Sequence, residues 1–419
     1  MLLPGSKGWI KKFFALQEDG KIVFSVKDRV QLGTPEQMVR NIGAYTGLTY
    51  GHCNRTLYHK TFEIGRWTDV EIQKVALFES LFEVFRMHNP YFVDNEVFIQ
   101  KVLAFYGEDV KTQASFLGLR WSRNITEPYA QLEQILNQRL NFPEQRFDFQ
   151  WWKYSMSNTL VYLDVILFYH YLKGEETIVQ RWEEFESGAI NGLVAMSKLD
   201  GVVSNPEKTI LNIYLASSRL ADAEKSEISK SLKADTGKVD FKSFTSYPLN
   251  VRAFYLDMLI LHLFSTNQEA DDVRDFILTA ADEMGLSEEI FESAESLMQS
   301  YLIDSERKSG IFSSKNGYEQ VFNSFSKRWT KILLRNKDKL VVELMESKEL
   351  IALVSKATTK ELTDEEKTKV KKQFRDIVKS VPALGIFMLP GGAILLPLIL
   401  KIIPDLIPSA FRDNEINKG

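Results

Sequence analysis

The sequence predicts an all-α protein: multi-domain helical bundles followed by a C-terminal proline-rich membrane helix or hairpin. Three observations carry that class. Apolar side chains recur at three- and four-residue spacing, as on the buried face of a helix. Helix-start signatures, an N-cap residue followed by Pro or by Glu/Gln three positions on, punctuate the chain. Strand signals are few, with only residues 21–26 alternating weakly, as a short hairpin arm at best.

Taken in order, Trp9, Phe13 and Phe14 share one face of a short amphipathic segment and are expected to point inward, with membrane-surface contact as the alternative. Lys7, Lys11 and Lys12 precede no apolar run long enough for a signal peptide. Thr34-Pro35-Glu36-Gln37 reads as an N-cap, a first-position proline and a capping-box Gln. Val75, Phe78, Leu81, Phe82 and Phe85 mark the buried face of a long helix. Residues 151–171 form another aromatic-rich buried helix, with Asp164, His170 and Lys173 arriving too soon for a bilayer span. Loops are expected at 234–248 and 305–317. The resulting division is 1–179, 180–304, a linker at 305–317, and 318–419.

Composition excludes several classes. Fifty-two Lys and Arg against 56 Asp and Glu leave a net charge of −4, without the basic excess of a nucleic-acid binder. Hydrophobic residues at 44% and charged residues at 26% exclude wholesale disorder. The single cysteine, Cys53, cannot form an internal disulfide. A mean hydropathy of −0.18 excludes a polytopic membrane protein. No phosphate-binding loop, nucleophile elbow, HExxH or paired CxxC is present. His52, Cys53 and His59 come nearest to a ligand cluster, at spacing that is usually structural, and His88, His170 and His262 stand alone in helical patterns. The chain is therefore expected not to be an enzyme and to need no cofactor, a divalent cation excepted.

That exception comes from the middle of the chain. The run from Asn191-Gly192 to Glu207 ends one helix at Asp200-Gly201 and starts another after Ser204. It resembles the TerB-like (tellurite-resistance) helical domain, marked by Asp-Gly with Glu seven residues after the Asp. Ala281-Asp282-Glu283-Met284-Gly285-Leu286-Ser287-Glu288-Glu289 resembles that domain's closing helix pair, and the resemblance covers 184–301. It implies a divalent-cation site at Asp200 and Glu207, for which oxygen ligands suit hard ions. The family's second acidic pair falls on Thr266 and Val273, so the set is half-complete. The residues themselves offer another reading: Ser204-Asn205-Pro206-Glu207 is a capping box, and Asp200 is turn chemistry.

From residue 382 to 400 there are nineteen residues without a charge, the length that crosses a bilayer. Ten strongly apolar side chains contribute roughly −3 to −6 kcal/mol to insertion, and Pro390 and Pro397 offset up to about 3 kcal/mol each. The sum is near balance, and Leu389-Pro390-Gly391-Gly392 could fold the run into a hairpin. Lys367, Lys369, Lys371, Lys372, Arg375 and Lys379 precede it as a lipid-facing basic cluster, suited to anionic headgroups and to a cytoplasmic placement of the bulk. Thr363 to Glu366 would cap the helix carrying them.

Val381-Pro382 through Leu389-Pro390-Gly391-Gly392, then Leu395-Leu396-Pro397, Lys401, Pro404 and Pro408-Ser409-Ala410-Phe411, resemble the membrane segment of the LETM family (leucine zipper–EF-hand-containing transmembrane proteins). Joined to a TerB-like region, the chain resembles bacterial LETM-related biofilm-associated proteins. The resemblance implies a bacterial inner-membrane protein with its bulk cytoplasmic, membrane lipids and another protein as partners, and oligomers as an open matter. It implies cation/proton exchange and ribosome binding as family roles. Ala393 stands where the family commonly has an acidic residue, which argues against autonomous exchange. The ribosome-linked domain is expected to be missing, with eight residues left after Phe411.

Overall fold

The computed structural model describes residues 2–59, 64–91, 94–112, 127–140, 160–199, 203–231, 239–266, 271–309 and 333–380, and among these there is no strand. Helix α1 (Trp9–Glu18) buries Trp9, Ile10, Phe13, Phe14 and Leu16 in protein, the inward option of the two expected. Residues 21–26 are turn and coil leading into the short α2 (Lys27–Val30), which corrects the expected hairpin arm. Ile22 and Val26 are buried, but a lone extended segment with no partner strand has nowhere to place its amides.

Helix α3 (Pro35–Thr46) starts at the proline that signalled it. Helix α4 (Asp69–His88) opens on a capping box between Thr68 and Glu71 and buries Val75, Phe78, Leu81, Phe82 and Phe85. Phe78 sits edge-on to Trp9 and Phe13 at 5.2 and 5.1 Å, so α1 is held by aromatic packing. Helices α5 (Asn95–Thr112) and α6 (Pro128–Leu140) pair, and the Glu133 carboxylate of α6 accepts the Gly8 and Ile10 amides at the start of α1. Helix α7 (Val161–Leu172) is the described part of the aromatic-rich stretch, and it is buried on every side from Val161 to His170. A helix apolar all round belongs at the centre of a bundle, and α7 packs on α3, α4 and α5.

After α8 (Glu176–Gln180), α9 (Trp182–Met196) and α10 (Asn205–Ser217) come α11 (Asp222–Ser231) and a 3₁₀ turn at Phe241–Ser246. That turn buries Phe241 and Phe244 inside the stretch expected as a loop. Then follow α12 (Leu249–Thr266), α13 (Asp271–Glu283) and α14 (Glu288–Ser309), the last running into the stretch expected as a linker. Gly192 permits a close crossing of α9 and α12, since a Cβ there would lie 1.7 Å from the Tyr255 hydroxyl.

By contacts the chain forms two compact units, Met1–Lys27 with Pro35–Ala294, and Asp28–Thr34 with Glu295–Gly419. Within the first, polar bonds cross residue 180. Arg40 of α3 pairs with Asp257 of α12 at 2.8 Å, and His170 Nε2 lies 2.9 Å from Asn250 Oδ1. The densest polar site centres on the fully buried Asp164 of α7. Arg139 of α6 donates two bonds to its carboxylate at 2.8 and 2.7 Å, Arg219 donates another, and the Tyr106 hydroxyl of α5 donates at 3.0 Å. Burial pushes the Asp164 carboxyl up, and the two guanidiniums more than reverse it, so it lies below the ordinary range. The Arg219 guanidinium also rests over the Trp182 ring at 4.6 Å, and its backbone amide donates to buried Glu186 at 2.7 Å. Burial raises the Glu186 carboxyl to about 7, with Arg219 opposing the rise.

Removing the shared anion leaves two buried guanidiniums uncompensated. Asp164→Asn is expected to cost about 3–5 kcal/mol in denaturant unfolding, the usual penalty for breaking a buried ion pair; a loss under 1 kcal/mol would contradict the role given to Asp164. For Glu186 the folded state holds its proton more tightly than the unfolded chain. Its stabilising contribution is full below the unfolded carboxyl range near 4.5 and is lost as pH rises through about 7. Glu186→Gln should remove that loss, up to about 3 kcal/mol, flattening stability between pH 4.5 and 7. An unchanged profile would contradict it.

Candidate functional site

The second unit's described C-terminal part is built from α15 (Lys337–Glu346), α16 (Lys348–Thr359) and α17 (Asp364–Ser380), which pack on one another. Each turns one apolar row inward: Leu340 and Leu344, Leu350 and Val354, and Val370, Phe374 and Ile377. The last three are spaced i, i+4, i+7, one apolar row of α17 that is used within the protein.

Helix α17 starts with the expected capping box. The Thr363 amide donates to Glu366 Oε2 at 2.9 Å, and the Glu366 amide donates to Thr363 Oγ1 at 3.3 Å. A hydrogen bond from Lys356 Nζ (2.5 Å) and the Thr363 amide hold the half-buried Glu366 carboxyl below its ordinary range. That contribution is present above the unfolded carboxyl range and is lost as pH falls through the lowered one. A second clasp joins the same helices. Lys369 Nζ meets Glu349 Oε1 at 3.1 Å, Gln373 donates to the other Glu349 oxygen, and Ser347 Oγ donates to Gln373 Oε1 at 2.8 Å. Sequence reasoning did not find Lys356, Glu349, Gln373 or Ser347, whose partners lie on other helices. The only local signal was Ser347, which caps α16 by accepting the Leu350 amide.

The basic cluster is therefore not uniform. Lys369 is bound to Glu349, and Lys367 faces Asp364 at 3.5 Å, while Lys372 is exposed. The helix carries the positions of Lys371, Arg375 and Lys379, whose side chains fall outside the described residues. So do Pro382, Pro390, Gly391, Gly392, Pro397, Lys401, Pro404 and Pro408. Among the described residues no helix is long and apolar enough to cross a membrane.

The other sequence candidates are spread through the first unit. Glu207 is buried and its Oε2 accepts the Ser204 amide at 2.7 Å in a complete capping box, while Asp200 lies outside the described residues. The two are thus not brought together in any described geometry. No group of three or more metal-binding side chains occurs among the described residues. His59 Nδ1 is held by Glu79 at 2.8 Å, and Glu79 also accepts the Tyr58 amide at 3.1 Å, so this part of the loop is pinned to α4. Burial pushes the Cys53 thiol far up, away from a reactive thiolate. A Ser–His pair not foreseen from sequence, Ser197 and His262, has Oγ 2.7 Å from Nε2. Its serine donates to the Leu193 carbonyl at 3.0 Å, so the imidazole is the donor, the reverse of an activated nucleophile. Burial lowers His262 to about 3.

Thr363→Ala should cost roughly 0.5–2 kcal/mol of local stability, read as faster hydrogen exchange over residues 364–367. Exchange unchanged from the parent would contradict the cap.

Residues 362–418 match a family model described as LETM1-like, RBD. No curated protein and no solved structure matches the chain. That match begins at Leu362, so α17 and the apolar run fall inside it. The chain thus carries a LETM1-like segment, similar to the LETM family from the cap of its basic helix through its apolar run.

Proposed function

We propose that the protein is a non-enzymatic helical scaffold at the cytoplasmic face of a bacterial inner membrane, attached through the apolar run after α17. One observation carries this reading: a folded, basic helix leads directly into a charge-free run of bilayer length, and both lie within the LETM1-like segment. The helical first unit is then the part that meets another protein, and the resemblance to LETM-related biofilm-associated proteins suggests envelope or biofilm physiology as the setting. Cation/proton exchange is a weaker reading, because Ala393 offers no carboxylate inside the run.

A second reading, ribosome docking, is favoured by the description of the matched family model. Exposed lysines on α17 could meet RNA phosphates as readily as headgroups.

Deletion of residues 381–419 decides between them. Attachment predicts that the full chain pellets with membranes and resists carbonate extraction, and that the deleted chain is released. A full-length protein that stays in the supernatant overturns attachment; co-sedimentation with ribosomes instead supports docking.

A further inference from the structure

Two buried carboxylates of the first unit share one residue, and they share it unequally. Asp164 takes the guanidiniums of Arg139 and Arg219, whereas Glu186, 1% exposed, receives the Arg219 backbone amide at 2.7 Å. A carboxylate fed by guanidiniums keeps its charge. A buried neighbour given an amide, with that anion close by, holds a proton instead. The charges acting on Glu186 come from several elements: Arg139 of α6, Asp164 of α7, Arg219, and Lys225 of α11. Tyr106 of α5 is bonded to Asp164, and Asp222 acts on Lys225. Elsewhere around α9 the facing groups are rings or are already paired. Phe185 meets Phe254 and Tyr255 of α12, Glu207 of α10 caps its own helix, and Glu175 ahead of α8 pairs with His170 and Lys173.

On the α11 side, the cover is lightly held. Helix α11 packs on α9, the helix of Glu186, and begins three residues after Arg219. Among its described side chains Ile228 alone is buried, and Leu220 is the apolar anchor of the connection before it. Lys225 Nζ donates to the Ser218 carbonyl at 2.9 Å, which ties the helix to its own connection rather than to the body of the unit. Burial lowers the Lys225 amine, and Glu186 is the main charge opposing the fall. Closing α11 on α9 thus takes water from an amine and a carboxyl at once. Elements with few buried apolar side chains open at the low-stability end of a fold.

We propose that α11 is a proton-controlled flap on the first unit, hinged at Arg219. With Glu186 protonated, the flap is closed on α9. When the proton leaves, lifting α11 admits water to the new anion, while Arg219 keeps its guanidinium on Asp164. The lifted flap uncovers Leu220 and Ile228, an apolar pair that the closed one hides. Nothing in this device depends on how the chain reaches a membrane.

Hydrogen exchange of the full chain over residues 220–231, corrected for the intrinsic pH dependence of amide exchange, tests it. The Glu186 carboxyl lies at about 7 when buried and near 4.5 when wetted, so opening gains about tenfold between pH 6 and pH 8. Protection of 220–231 should fall by that factor, and without dependence on low urea, because the opening is local. In Glu186→Gln, which cannot release a proton there, the fall should stay under about 3-fold. A fall in the parent with the urea dependence of the α7 amides would mean that the whole unit opens, and would overturn the flap. So would parent protection unchanged from pH 6 to pH 8, or an equal fall in Glu186→Gln. The pH and urea readings need the parent chain alone.

Discussion

Three side chains from separate stretches close on one buried carboxylate, and the first unit depends on that closure. Asp164 takes bonds from Arg139, Arg219 and Tyr106, which lie on α6, just after α10 and on α5. Burying charge costs several kcal/mol for each ion, and attraction offsets it only when geometry is good and the remaining donors are satisfied. Here the bidentate contact from Arg139 and the ring of Trp182 under Arg219 supply that geometry. The net stabilisation is small beside the apolar core, but the penalty for a wrong arrangement is large. The group therefore selects how the helices meet rather than how tightly.

Around it, the packing carries the same message. The aromatic cluster of α1 and α4 holds one side, and Arg40 with Asp257 and His170 with Asn250 tie α3 and α7 to α12. Helices from both sides of residue 180 share one unit. The C-terminal helices of the second unit follow another logic. There the apolar rows are short, and polar clasps at Glu349 and Glu366 set the register of α17 on α16. That register buries Val370, Phe374 and Ile377 of the basic helix.

Much of the fold was legible, for local reasons. Periodic apolar spacing marked α4, a proline at the first position marked α3, and reciprocal Ser/Thr–Glu pairs marked α10 and α17. What depended on distance was not. Asp164 read only as a charge that argued against a bilayer span, because its arginines are 25 and 55 positions away. Phe241 and Phe244 sit in a stretch rich in turn residues, and only tertiary burial shows them as core. The weak alternation of residues 21–26 misled because a strand needs a partner that local pattern does not reveal. At the candidate site the capping box and the basic helix were visible, while the pairing of Lys369 with Glu349 divides a cluster that sequence presents as uniform.

If closure on Asp164 governs the first unit, helices drawn from both sides of residue 180 open together. Native-state hydrogen exchange of the full chain, followed with increasing denaturant, tests this directly. The account predicts that the slowest amides of α6, α7 and α9 converge on one opening free energy and one denaturant dependence. Exchange of α6 and α7 at a free energy and denaturant dependence separate from α9 would contradict it.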